Sequence, residues 1–83
     1  MISFVGNVCE LHIETGICYG VLFLDEPYMV NRYIPFVTSD KHLIDVIRKG
    51  NGHYSMKCGF VNDGGSTYEN LKIVFEVTDV KEV

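Results

Sequence analysis

The sequence predicts a small all-β barrel that carries one short helix. A strand pattern at residues 31–38 stops just before a helix pattern at residues 41–49, and Gly50 follows the helix. Apolar residues at helical spacing form one stripe of that helix: Leu43, Ile44, Val46 and Ile47. Because the rest of this 83-residue chain reads as strands, one helix among strands is the layout expected of a small barrel.

Three strands are predicted before the helix. The first covers residues 2–14, and its alternation changes phase near residues 6–9, which predicts a bulge or sharp bend there. The second covers residues 17–24 and is expected to end at residues 25–28, because Pro27 cannot donate a backbone hydrogen bond. The third covers residues 31–38, where Pro35 indicates an edge or bulged position.

The helix and two further strands complete the predicted order. Ser39 or Asp40 suits the N-cap, and Arg48-Lys49 suits the C-terminal dipole, with Gly50 expected in a left-handed cap. Strands are predicted at residues 54–61 and 71–80, joined by a loop at 62–66. The order β-β-β-α-β-β predicts the five-stranded oligonucleotide/oligosaccharide-binding (OB) fold, with all 83 residues in one domain.

Composition excludes several classes of protein. A hydrophobic share of 47% and a charged share of 22% are typical of a folded globular domain. No apolar run is long enough to span a bilayer, and the N-terminal residues lack the pattern of a signal peptide. Three cysteines, an odd number, favour a reducing cytoplasm over a disulfide framework.

The net charge of −4 is unusual for a protein that binds nucleic acid. Seven Lys and Arg residues face eleven Asp and Glu residues, whereas a basic domain is the common footprint of such proteins. A groove can still be locally positive on an acidic protein. Binding to DNA is therefore expected to be weak and sensitive to salt.

Four segments in order resemble bacterial and phage single-stranded-DNA-binding proteins of the OB type. These are Phe4-Val5-Gly6-Asn7-Val8, the strand from Val21 to Tyr28, Tyr33-Ile34-Pro35-Phe36-Val37, and the helix end Arg48-Lys49-Gly50. The resemblance implies an OB fold that binds single-stranded DNA, with aromatic side chains stacking on bases. It places Tyr33 and Tyr28 at stacking positions of that family.

The chain also departs from that family pattern. Ser39 stands where an aromatic residue is usual late in the third strand, and residues 62–68 contain no Lys or Arg where the family has a basic hairpin. These departures predict a minimal or divergent member with fewer contacts to DNA.

Six residues are predicted to contact nucleic acid. Alternation turns Ile34 and Phe36 inward and Tyr33 outward, so that Tyr33 either stacks on a base or covers the barrel rim. The same two interpretations apply to Tyr28. The predicted phosphate contacts are Arg32, Lys57, Lys72 and Lys49, although each could equally be an ordinary solvated cation. Five other aromatic residues are expected in the core: Tyr19, Phe23, Phe36, Phe60 and Phe75.

No arrangement of residues indicates metal or catalytic chemistry. Cys9-x-x-His12 with Cys18 could suggest zinc, but regular alternation points residues 9 and 12 to opposite faces and no second ligand pair follows. His42 lies at a helix start beside Ser39 and Asp40, which does not form a catalytic triad. We therefore expect no enzymatic activity, no cofactor and no metal.

Two functions are compatible with these observations. The first is sequence-tolerant binding of single-stranded DNA, DNA being favoured over RNA, by a cytoplasmic homo-oligomer in replication or mobile-element transfer. A dimer is the expected oligomer, because a small barrel with outward apolar residues on its first strand needs cover. The second is an OB-like module that binds a protein through the same outward row. Nucleic-acid binding must weaken steeply with salt, whereas an apolar protein interface need not.

Overall fold

All five strands close into one barrel around a single core. The computed structural model describes residues 1–61 and 74–83. The elements are β1 (Ile2–Glu14), β2 (Ile17–Tyr28), β3 (Asn31–Thr38), α1 (Lys41–Lys49), β4 (His53–Val61) and β5 (Val74–Glu82). Around the barrel the strands follow the order β1-β2-β3-β5-β4, and β4 pairs back to β1. The predicted fold class, a small OB-like β-barrel with one helix, is confirmed.

Strand β1 bends so that it can pair on both sides. Its first half pairs with β4 from Ile2 to Asn7, whereas its pairing with β2 continues to Glu14. The register with β2 shifts between Val8 and Glu10, at the end of the region where the sequence changes phase. A Cβ atom added to Gly20, across from the bulge, would lie 2.1 Å from the Glu10 carbonyl oxygen. Only glycine permits this close approach of the two strands.

Alternate residues of β2, β3 and β4 fill the barrel interior, together with residues of β5. In β2 the buried residues are Cys18, Gly20, Leu22 and Leu24. Tyr54 is fully buried, and its hydroxyl donates a 2.7 Å hydrogen bond to the carbonyl of Ile47, which ties the end of α1 to β4. Phe36 and Phe75 are buried as predicted. Burial raises the pKa of the Cys58 thiol to about 12 and also raises that of Cys18, so both thiols stay protonated.

The helix begins as the sequence predicts. Of the two candidate N-caps, Asp40 is the one used. Its carboxylate accepts hydrogen bonds from the backbone N–H groups of His42 (2.9 Å) and Leu43 (3.2 Å). The prediction of a left-handed cap at Gly50 is wrong, because its φ is −83° and the positive φ of 93° lies at Gly52. Glycine is needed at position 50 for space, since a Cβ there would lie 2.5 Å from the Tyr54 hydroxyl.

Two strand boundaries differ from prediction. Strand β2 continues through Pro27 to Tyr28, instead of ending at residue 24. The β2–β3 register shifts between Phe23 and Tyr28, so the proline lies in an irregular segment where no regular ladder requires its missing N–H. Strand β4 begins one residue early, and β5 extends two residues beyond its predicted end. The predicted start of β5 at 71–73 and the loop at 62–66 lie outside the described residues.

Candidate nucleic-acid interface

The outer surfaces of β2 and β3 form a continuous apolar area, which we call the outer strip. Cross-strand pairing sets its three rows: Phe23 opposite Tyr33, Val21 opposite Pro35, and Tyr19 opposite Val37. Five of these six side chains are half-buried, and Tyr33 is 61% exposed. The strip therefore presents aromatic and aliphatic groups to solvent along one side of the barrel.

One end of the outer strip combines two rings with a cation. The rings of Phe23 and Tyr33 lie with centroids 5.2 Å apart and are tilted by 54°. The guanidinium of Arg32 lies 5.6 Å from the centroid of the Phe23 ring, within the range of a cation–π contact. Arg32 also donates to the backbone carbonyls of Leu24 (3.3 Å) and Asp25 (3.4 Å), which hold it at this end. The geometry brings together the predicted pair Tyr33 and Arg32.

Phe23 belongs to this cluster and not to the core, contrary to the sequence prediction. Strand β2 is apolar on both faces, and Leu22 and Leu24 fill the interior. The ring of Phe23 lies next to both the Tyr33 ring and the Arg32 guanidinium. The sequence did contain a signal for this, because Phe23 falls on the same face of the alternating strand as Tyr19 and Val21 and not on that of Leu22.

The other end of the outer strip is aromatic but acidic. The imidazole of His12 stacks on the Tyr19 ring, with centroids 5.0 Å apart and planes 18° from parallel. Tyr19 is therefore half-buried on the outer face, which corrects its assignment to the core. Glu10 lies beside Val21 and Glu76 lies beside Val37, so that carboxylates border both long sides of the strip. His12 is 3.5 Å from the Glu10 carboxylate.

Tyr28 occupies a different environment from Tyr33. Its ring packs edge-on against Phe4, with centroids 5.2 Å apart, and it is half-buried against the core. The same residues line a surface groove together with Pro27 and Glu26. This packing matches the rim-covering interpretation of Tyr28 more closely than a free stacking surface.

The predicted cations are spread over the molecule. Lys57 is exposed on β4, opposite Ser3 of β1 and Asp79 of β5. Lys49 lies at the end of α1, in a groove that it shares with His42 and Glu82. Lys72 lies outside the described residues. Of the three described candidates, only Arg32 contacts the outer strip.

The turn between β2 and β3 exposes two apolar side chains near the Tyr33 end. Met29 is 81% exposed and Val30 is 92% exposed. Met29 has a φ of 57°, in the left-handed region that favours glycine. Sequence reasoning missed this turn, because neither residue is a turn former.

His53, at the start of β4, links this strand to β2 and to the C-terminal residue. His53 contacts Asp25 through Nε2 (2.8 Å) and the Val83 carbonyl oxygen through Nδ1 (3.1 Å). These contacts raise the pKa of His53, chiefly through the Asp25 carboxylate and secondarily through the carbonyl.

Within residues 1–61 and 74–83, no group of three or more His, Cys, Asp or Glu side chains is arranged to hold a metal ion. Over the same residues, α1 is too short to cross a membrane.

Comparison with known proteins gives no match. No protein-family model, no curated protein and no solved structure is significantly similar to this chain. The likeness to single-stranded-DNA-binding proteins therefore depends on the sequence segments alone.

Proposed function

We propose that this protein binds single-stranded DNA without sequence preference and has no enzymatic activity. The observation that carries the proposal is the cluster of Tyr33, Phe23 and Arg32 at the end of the outer strip. Tyr33 offers an exposed ring on which a base can stack, and any base has the flat face that stacking requires. The resemblance to single-stranded-DNA-binding proteins places a stacking aromatic at the same position.

Arg32 is the residue best placed to contact a phosphate. A guanidinium has five N–H donors, and one nitrogen of Arg32 is used for the two backbone carbonyls. The remaining donors lie next to the ring cluster, so that a nucleotide stacked on Tyr33 would bring its phosphate close. Lys57 and Lys49 serve in this proposal as more distant contacts, and Lys72 as a further candidate.

Electrostatics limit the affinity of this interface. Glu10 and Glu76 border the outer strip, and the chain carries a net charge of −4. Repulsion between these carboxylates and a polyanion offsets part of the gain from stacking. We therefore expect single domains to bind at about micromolar dissociation constants, with higher affinity when several copies bind one strand.

Self-association accompanies this function in our proposal, with a dimer as the simplest form. On the outer face of β1, Val5 is 38% exposed, and Met1, just before the strand, is 84% exposed. Pairing of copies through these side chains would place two outer strips on one assembly. The three free thiols fit a reducing cytoplasm, where replication or transfer of mobile-element DNA takes place. Sedimentation that shows a strict monomer at tens of micromolar, a range in which transient association appears, would contradict the dimer.

The direct test is a titration of fluorescent oligo-dT, with a duplex of the same length as the control. A stacking interface binds the single strand more tightly, because bases in a duplex are already stacked. Equal affinity for both would show that binding is nonspecific attraction to phosphate. Absence of binding to either at low salt would reject the proposal.

A second candidate is a protein-interaction module that uses the same outer strip. The specific observation in its favour is the pair of carboxylates, Glu10 and Glu76, along the sides of an apolar surface. Apolar centres with polar rims are typical of protein interfaces. Binding to a protein through the apolar rows would change little with salt, so the salt dependence of complex formation separates the two functions.

A further inference from the structure

The second half of β1 has one strand edge that the described residues leave open. Residues 10–14 pair with β2 on one side, and Cys9 lies in the bulge just before them. On the other side, pairing with β4 ends at Asn7, and the last backbone contact is the hydrogen bond from the Val8 N–H to the Gly52 carbonyl at 2.9 Å. Within residues 1–61 and 74–83, no other strand pairs with residues 9–14. We call this segment the open edge.

The two faces of the open edge differ in chemistry. Leu11 and Ile13 lie on the face that continues the barrel interior, opposite Gly20 and Cys18, yet they are 38% and 42% exposed. Glu10 and Glu14 are exposed on the opposite face. The edge thus alternates apolar residues with carboxylates at the period of a strand.

A groove runs beside the first residues of this edge. Val8 and Leu11 form one side, and Ile47 with the 50–52 turn forms the other, enclosing about 290 Å³. The buried ring of Tyr54 contributes to its lining. An extended chain lying here would meet apolar side chains on its inner side and unpaired backbone groups along β1.

We propose that the open edge accepts an extended segment of another protein as an additional strand. The segment that fits has apolar residues at alternate positions, to lie beside Leu11 and Ile13, with Lys or Arg between them to face Glu10 and Glu14. Backbone hydrogen bonds supply affinity in this mode of recognition, and the alternating side chains supply specificity. Glu10 also borders the outer strip, but the backbone edge that accepts the segment lies on the side of β1 away from β2, so this mode of binding does not depend on nucleic acid.

The charges of the open edge argue against a second copy of the chain as its occupant. Antiparallel self-pairing centred on His12 places Glu10 of each copy directly opposite Glu14 of the other. Like charges opposite one another destabilise a strand pair. In shifted registers that keep the apolar faces together, four carboxylates still share one face of the joined sheet. A basic partner strand instead gains a favourable pair at each position.

The neighbouring cations leave Glu10 and Glu14 available to pair with a basic partner strand. His12 is 3.5 Å from Glu10, an ion pair only when the imidazole is protonated. Arg48, at the end of the helix, is paired with Asp45 at 2.8 Å. Lys49 lies in a different groove, beside Glu82. Glu14 forms no ion pair with a Lys, Arg or His of residues 1–61 and 74–83.

The test uses two labelled peptides of about six to eight residues, the usual length of a strand. One alternates lysine with valine and the other alternates glutamate with valine, and binding is followed by fluorescence anisotropy. We expect the lysine peptide to bind and the glutamate peptide not to bind at concentrations up to about 1 mM. The double variant Glu10→Lys, Glu14→Lys should reverse this preference, with a loss of about tenfold or more for the lysine peptide.

A matched control separates the site from general attraction to an acidic protein. Glu26→Lys with Glu76→Lys changes the net charge equally at exposed positions away from the open edge. This control should keep most of the affinity for the lysine peptide. Equal losses in both double variants would show nonspecific charge attraction and would overturn the proposal.

Amide hydrogen exchange identifies the binding segment directly. Addition of the lysine peptide should slow exchange within residues 9–14, because new strand hydrogen bonds protect the edge. Protection on the outer strip instead would overturn the proposal. Protection of residues 9–14 that rises with protein concentration in the absence of peptide would also overturn it, since a second copy would then be the occupant.

Discussion

The two faces of β2 have similar compositions and different roles. Its inner face carries Cys18, Leu22 and Leu24, each at most 2% exposed and enclosed by the barrel. Its outer face is equally apolar, with Tyr19, Val21 and Phe23, but these side chains remain half-exposed. The apolarity of the inner face is explained by the core. That of the outer face has no such explanation within the described residues, and this is why we propose it as a binding surface.

Replacing one residue on each face gives the largest expected contrast. Leu22→Ala should lower the free energy of unfolding by about 2–5 kcal/mol, because it leaves a cavity in a closed core. The neighbouring substitution Val21→Ala should lower it by about 1 kcal/mol or less, since that side chain is already partly solvated. Denaturant titrations of both variants provide the measurement. Equal losses would mean that the outer strip is structural and would remove the contrast between the faces.

Tyr33→Ala should separate binding from stability on the outer face. Loss of one stacking ring is expected to weaken oligo-dT binding by about 1–3 kcal/mol, measured by fluorescence titration. The free energy of unfolding should change by about 1 kcal/mol or less, because the side chain is mostly exposed. Tyr33→Phe is the control and should keep most of the affinity. If Tyr33→Ala unfolds the domain, Tyr33 belongs to the structural framework.

Substitution of Asp25, the next exposed residue along β2, is expected to have the smallest effect on stability. Its contact with His53 raises the histidine pKa above the ordinary value, so this contact contributes stability below about pH 6.5 that is lost as the pH rises through the raised pKa. Asp25→Asn should therefore lower the His53 pKa in an NMR titration. It should also destabilise the protein more at about pH 6 than at about pH 9. An equal loss at both values would show that the charge of the pair is unimportant.

The sequence was sufficient for the element order because the strongest local signals agree with the fold. The phase change in β1 became the bulge at Val8–Glu10, and Asp40 became the N-cap of α1. Period-two alternation also separated the two faces of β2 correctly. It could not tell which face is inward, because both are apolar, and this is why Tyr19 and Phe23 were assigned to the core. Only barrel closure decides that question.

The candidate site was harder to predict than the fold. Tyr33 was predicted from its outward phase and its match to a family stacking position, and Arg32 because it is a cation on a strand beside that face. The contribution of Phe23 depends on cross-strand register, which brings residues of β2 and β3 together. The location of Lys57 and Lys49 away from the strip could not be predicted for the same reason, since positions in sequence do not reveal which side of a barrel a strand occupies.

The salt dependence of oligo-dT binding tests most directly whether the outer strip binds single-stranded DNA. Log affinity plotted against log salt concentration should fall with a slope between about −0.7 and −2, corresponding to one to three phosphate contacts at about 0.7 per contact. Arg32→Gln should make the slope shallower by about 0.7, because it removes the cation held at the strip. Lys41→Gln removes an exposed cation at the start of α1, beyond the other end of the strip, and serves as a matched control that should leave the slope unchanged. A wild-type slope near zero, or one unaffected by Arg32→Gln, would contradict the proposed interface.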